Sequence, residues 1–271
     1  MSTEHESTGS TERYSHGHHE SVLRSHTWRT VENSAAYLVP HLAAGLSLLD
    51  VGCGPGTITA DFAERLAPGR VIGVDAAADV IAKAQSFEAP NLSFRVADAY
   101  ALPFADDTFD IVHAHQTLQH VARPVEILRE LRRVVKPGGV VAARDVDYAG
   151  TIWFPELPGL NSWMRVYQQV HRGNGGEPNA GRRLKAWALE AGFAEVETAA
   201  SIWNFSDPAD REWWGGMWEA RVLQSAFAGD ALAKGVATQE ELERISAAWR
   251  EWADADQGWL AMPHGEVLCR G

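Results

Sequence analysis

Residues with the chemistry to bind and transform a small molecule gather in four stretches. In LLDVGCGPGTITADF, Leu48 to Phe62, three glycines (Gly52, Gly54, Gly56) leave the backbone bare between an apolar run and a helical pattern. Such a turn lets a ligand lie against the main chain and offers it the unpaired N–H groups of a helix N-terminus, the makings of a nucleotide-like site. In RVIGVD, Asp75 closes the next apolar run, where a carboxylate suits the two hydroxyls of a ribose. Charge-assisted hydrogen bonds of that kind contribute about 1.5–3 kcal/mol each. Asp98, just past the run in NLSFRVADAYALPF, is placed to accept from an exocyclic adenine amine while the backbone of Ala99 meets the ring. His113, His115 and His120, in VHAHQTLQHV, are of the type whose unperturbed pKa near neutrality suits proton transfer. The first two stretches alone fit a nicotinamide-dependent oxidoreductase equally well.

These residues need a scaffold that brings strand ends to one edge. Short apolar runs alternate with helical patterns beyond Gly45, which predicts a parallel sheet with helices on both faces. Strands are expected near Ser47 to Val51, Arg70 to Asp75, Leu92 to Ala97, Phe109 to His113 and Gly139 to Asp145, with helices near Thr57 to Leu66, Ala78 to Ser86 and Pro124 to Val135. A helical pattern from Ser34 to Leu42 precedes them. After Asp147 helical segments rich in tryptophan follow, with a strand near Val196 to Trp203, a helix from Gln239 to Trp252 and a last strand from Glu266 to Cys269.

Taken in order, DVGCGPG, VIGVD, VADAYALPF, DDTFDIV and LRRVVKPGG closely resemble the class I S-adenosylmethionine-dependent methyltransferases, and LQHVARP resembles their ubiquinone and menaquinone C-methyltransferase-like branch. The resemblance spans roughly Leu46 to Val146. It implies an α/β, Rossmann-like seven-stranded sheet whose antiparallel last strand, Glu266 to Cys269, lies beside the fifth. It implies further that Gly52, Gly54 and the backbone of Cys53 face the methionine part of S-adenosylmethionine, Asp75 and Ala76 its ribose, and Asp98 and Ala99 its adenine, with Asp50 also among the cofactor-binding residues and His115 beside the sulfonium. Tyr14, Trp28 and Arg29 precede a helix that crosses the cleft in relatives; Arg29 is a candidate partner for the cofactor carboxylate and Tyr14 a candidate lid residue. Residues 21–271 are expected to form one domain with N-terminal lid helices and a helical insert at about 205–255.

For the acceptor, His120 is the first candidate base, against a wall or capping role, with His115 beside it and His113 assigned to packing. Asp147 and Tyr148, in ARDVDYAG, are the second candidate wall; Asp145 and Asp147 are many carboxylates for a buried strand end unless hydrogen-bonded. If some of Trp153, Trp163, Trp203 and Trp214 line the cleft, the acceptor is flat and apolar, which with the quinone-like branch leans toward C-methylation; O- or N-methylation remains the alternative. Cys53 lacks a histidine partner and reads as a small residue rather than a nucleophile.

Composition bounds the rest. With 271 residues, 45% of them apolar, the chain can fill a substantial core, and a formal charge of -12 disfavours nucleic acid and anionic membranes as partners. No apolar run reaches the roughly 20 residues of a membrane helix, and the polar N-terminus and two isolated cysteines suit a cytoplasmic protein, monomer or homodimer. Residues 1–20 have little to bury and are expected to be disordered or ordered by a ligand; His16, His18 and His19 match no metal-site spacing, so no metal is expected. A methyltransferase-like module that binds the cofactor without turnover is the remaining non-enzymatic reading.

Overall fold

The computed structural model describes residues 28–271. Five parallel strands, β1 (Leu48–Val51), β2 (Val71–Asp75), β3 (Leu92–Val96), β4 (Phe109–His115) and β5 (Val135–Val146), lie in the order β3-β2-β1-β4-β5. β1 is wholly buried and β2 nearly so, because helices cover both faces; this is why the runs are continuous rather than alternating. β8 (Trp259–Arg270) pairs antiparallel with β5, and β7 (Glu195–Phe205) runs antiparallel along the other edge of β8. The short β6 (Ile152–Phe154) pairs with β8 beyond the end of β5, so the eight strands make a sheet seven strands wide.

α1 is one turn, Val31–Ser34, closed by a capping box between Thr30 and Asn33, and the chain then tightens into a 3₁₀ helix at Ala36–His41. The expected continuous helix over Ser34 to Leu42 is therefore broken. Pro40 lies within the 3₁₀ turn and supplies no N–H to continue a helix. α2 (Thr57–Leu66), α3 (Ala78–Ala84) and α4 (Pro124–Val134) link the strands, and α6 (Leu184–Glu190) leads into β7. α4 starts on Pro124, carries Glu126 in its first turn and Arg132 and Arg133 in its last, and buries Ile127, Leu128, Leu131 and Val134.

A second core lies over β7 and β8. α5 (Pro158–Gly173), α7 (Pro208–Gln224), α8 (Ala226–Ala233) and α9 (Gln239–Asp254) pack Trp163, Tyr167, Trp218, Trp249 and Trp252 against Trp203, Phe205, Leu260 and Met262. Trp163 meets Trp218 and Trp249 edge-on, with ring centroids 4.9 and 4.8 Å apart. This helical layer closes one end of the cleft at the carboxyl edge of the sheet.

Candidate active site

One cavity of about 440 Å³ opens at the ends of β1, β2 and β4. The ten residues expected around a cofactor, Asp50, Gly52, Cys53, Gly54, Asp75, Ala76, Asp98, Ala99, His115 and Arg29, all line it. Gly52, Gly54 and Gly56 adopt φ values of +71°, +56° and +88°, and a Cβ on Gly52 would fall 2.2 Å from Oγ1 of Thr117. Only glycine fits there.

The expected array of unpaired N–H groups is not what the loop offers. Gly52 and Cys53 donate to the carbonyl of Val74, Gly54 donates to Oδ2 of Asp75 at 3.1 Å, and Gly56 donates to the carbonyl of Cys53. The glycines serve closeness rather than anion binding. Three carboxylates, Asp50, Asp75 and Asp98, line this end, a poor seat for a pyrophosphate and a good one for hydroxyls and amines.

Asp75 is aimed by the loop itself, since Oδ1 accepts from the N–H of Ala77 at 3.0 Å while Oδ2 faces Gly54. Asp50 is engaged inside the protein. Its Oδ1 meets Nδ1 of His113 at 2.8 Å and its Oδ2 accepts from Oγ1 of Thr59 at 2.6 Å. His113, fully buried, thus orients a carboxylate on the cavity floor. Asp98 is exposed and accepts from the N–H of Tyr100 at 2.9 Å. Burial raises the pKa of Cys53 well above the ordinary thiol value, which keeps it a thiol and removes it as a nucleophile.

The rest of the cavity is walled by His115, His120, Tyr148, Trp203, Trp214 and Met262, with the cations Arg29 and Arg221. β4 runs two residues further than expected and carries His115 to the edge, 5% exposed, with no protein partner for either ring nitrogen. Burial first, then the guanidiniums of Arg29 and Arg144, lower its pKa well below 6.5, so the imidazole is neutral near pH 7. His120 is similarly depressed by burial and by His171, but the amide of Gln119 lies 3.1 Å from its Nε2. Tyr148 packs 4.0 Å from Tyr167, and burial raises its pKa, so it remains a phenol.

Several expectations need correction. Asp147 does not line the cavity; its carboxylate grips Arg182 with both oxygens and caps Gly150. Of the four tryptophans named for the cleft, Trp203 and Trp214 line it, whereas Trp163 is core and Trp153 packs against that core. Tyr14, His16, His18 and His19 lie outside the described residues. The last strand begins at Trp259 rather than Glu266, which brings Met262 to the cavity and His264 behind it. Sequence reasoning missed Gln116, Thr117, Arg221, Met262 and His264. The one visible signal was HQT, directly after an apolar strand.

A model of the methyltransferase domain matches residues 49–143. Over 268 residues the chain is 33% identical to an uncharacterised methyltransferase of Schizosaccharomyces pombe, covering 94% of this chain and 95% of that one. It is 28% identical to the probable methyltransferase ltbC of Aspergillus luteorubrus, over 97% and 98% of the two chains. It is 33% identical to the demethylmenaquinone methyltransferase of Lactococcus lactis, over 56% of this chain and 68% of that one. Among solved structures, the YcgJ protein of Bacillus subtilis aligns with a TM-score of 0.54 at 17% identity, over 87% of this chain and 96% of that one. Phosphoethanolamine N-methyltransferase 2 of Haemonchus contortus, solved with S-adenosylmethionine, aligns with a TM-score of 0.54 at 19% identity, over 87% and 51%.

Proposed function

The chain belongs to the class I S-adenosylmethionine-dependent methyltransferases, and from that premise we propose that it methylates a small, flat, apolar metabolite, with carbon the favoured acceptor atom. The observation that carries the acceptor class is the wall of Tyr148, Trp203, Trp214 and Met262 around His115. Aromatic faces and a thioether favour a ring or a prenyl-like chain over a charged, strongly hydrated substrate. The likeness to a demethylmenaquinone methyltransferase supports carbon.

The cavity's residues fit the cofactor. The bare backbone at Gly52 and Gly54 leaves space for an amino-acid tail, Asp75 presents a carboxylate already aimed by two backbone N–H groups, and Asp98 with Ala99 flanks the adenine position. Arg29 supplies a guanidinium for the tail's carboxylate. When bound, S-adenosylmethionine supplies a methyl group made electrophilic by its sulfonium. The chain's own task is to position the acceptor, keep water out and receive a proton.

We assign the proton to His115 ahead of His120. A neutral imidazole has one lone pair and one N–H, and in His115 neither is used by the protein, whereas in His120 Nε2 already faces the Gln119 amide. Trp203 and Trp214 hold the acceptor ring and close the site to solvent.

Calorimetric titration of the S-adenosylhomocysteine complex with naphthols and hydroquinones, against amino acids and amines, tests the acceptor class. Binding of the aromatic set alone supports it, and binding of the amine set alone overturns it. Carbon is distinguished from oxygen by the NMR position of the added methyl.

A further inference from the structure

Immediately after β4 the chain places Gln116 at φ +49°, in the left-handed region that is open to glycine and costly to a residue with a side chain. Its side chain is committed at both ends. The amide Oε1 accepts from Nη2 of Arg29 at 2.7 Å; a guanidinium only donates, so this atom must be the oxygen. The amide N–H then donates to Nε2 of His264 at 2.9 Å, leaving the Nδ1–H of His264 to donate to the carbonyl of Met262 at 3.1 Å. Burial holds His264 neutral, as that chain of donors requires. Gln116, Arg29 and Met262 all line the cavity.

The segment that carries Arg29 is anchored without this bond. Trp28 packs on Trp203, Trp213 and Phe205 with centroids 5.2, 5.2 and 5.8 Å away. Nε1 of Trp203 donates to the carbonyl of Asn33, and the N–H of Val31 donates to Asp61. The Arg29 side chain is drawn out over Trp203, its guanidinium 5.6 Å from the ring centroid.

We propose that Gln116 is a positioning residue: its left-handed backbone carries the amide to His264 and Arg29 together, and so aims the Arg29 guanidinium at the carboxylate of the cofactor's amino-acid tail. This rests on the reading of Arg29 given above. His264 acts as the fixed post. It sets which end of the Gln116 amide faces Arg29.

The test compares S-adenosylhomocysteine, which has the carboxylate, with methylthioadenosine, which lacks the amino-acid tail, by calorimetry on wild type, Arg29→Ala, Gln116→Gly and Gln116→Glu. Gln116→Gly should weaken S-adenosylhomocysteine about tenfold, the scale of one charge-assisted hydrogen bond, and leave methylthioadenosine unchanged. Its melting temperature should change little, since the relief of the left-handed backbone offsets the hydrogen bond lost to His264. Gln116→Glu keeps an acceptor for Arg29 but offers no donor to Nε2 of His264, so it should recover only part of the affinity. If Arg29→Ala leaves the ratio of the two affinities unchanged, the reading of Arg29 fails and this one with it. If Arg29→Ala lowers the ratio and Gln116→Gly does not, Gln116 does not aim Arg29. Equal weakening of both ligands would make Gln116 merely structural and overturn the proposal.

Discussion

His115 and Asp75 divide the site between chemistry and binding. His115→Ala should lower turnover by about 10² to 10⁴, the usual contribution of a positioned proton acceptor, with S-adenosylhomocysteine affinity little changed. His120→Ala should act mainly on KM. Because burial and two guanidiniums hold the His115 pKa well below 6.5, activity should be flat from pH 6.5 upward, with any acidic limb lying lower. An acidic limb in the range 6.5–7, retained in His115→Ala, would give the proton to another group. Asp75→Ala should weaken cofactor binding at least about tenfold by calorimetry with unchanged circular dichroism, as the lost bonds are to a ligand and to two surface-loop N–H groups. The carboxylates and glycines at this end were legible because residue type and strand ending together specify them. Gln116 and His264 were not, since their pairing joins positions 148 residues apart and depends on how β4 and β8 end.

At the scale of elements, the parallel strands could be read because burial on both faces makes each one a continuous apolar run. Only the last part of β8 is legible as a strand, because its first half, WLAMPHG, contains Pro263 and Gly265, which argue for a turn by propensity. Pairing with β6 on one edge and β7 on the other overrides that preference. The tryptophans cannot be sorted from sequence, because whether Trp163 and Trp214, both on helices, face the core or the cavity depends on how those helices pack on the sheet. Trp249 is fully buried between Trp163, Trp218 and Trp252, so Trp249→Ala should cost about 3–5 kcal/mol in urea unfolding. A loss below about 1 kcal/mol would mean that the helical layer packs loosely over the sheet.

Across the whole molecule, buried ionisable groups set how stability depends on pH. Burial is the leading cause that lowers the pKa values of His115, His120, His171 and His264, with His171 at about 4. Their unfolded forms take up protons near 6.5 while the folded forms resist, so stability falls as pH drops below 6.5. Asp145 acts in the opposite sense. Burial lifts it from 3.8 to about 8, so the folded state holds an extra proton in that window and loses stability as pH rises through it. With four groups set against one, urea midpoints should climb to a maximum near pH 6.5 and decline gently toward 8. A maximum at pH 5 would contradict this balance. Methyl transfer to a small aromatic acceptor at the His115 end of the cavity can be followed by incubating the protein with deuterium-labelled S-adenosylmethionine and a panel of hydroxylated arenes, quinols and macromolecules, and tracing the label by mass spectrometry. One labelled methyl should appear on a small aromatic product, and it should be lost in His115→Ala although that variant still binds S-adenosylhomocysteine. Label on protein or nucleic acid instead, or full transfer by His115→Ala, would contradict this reading of the site.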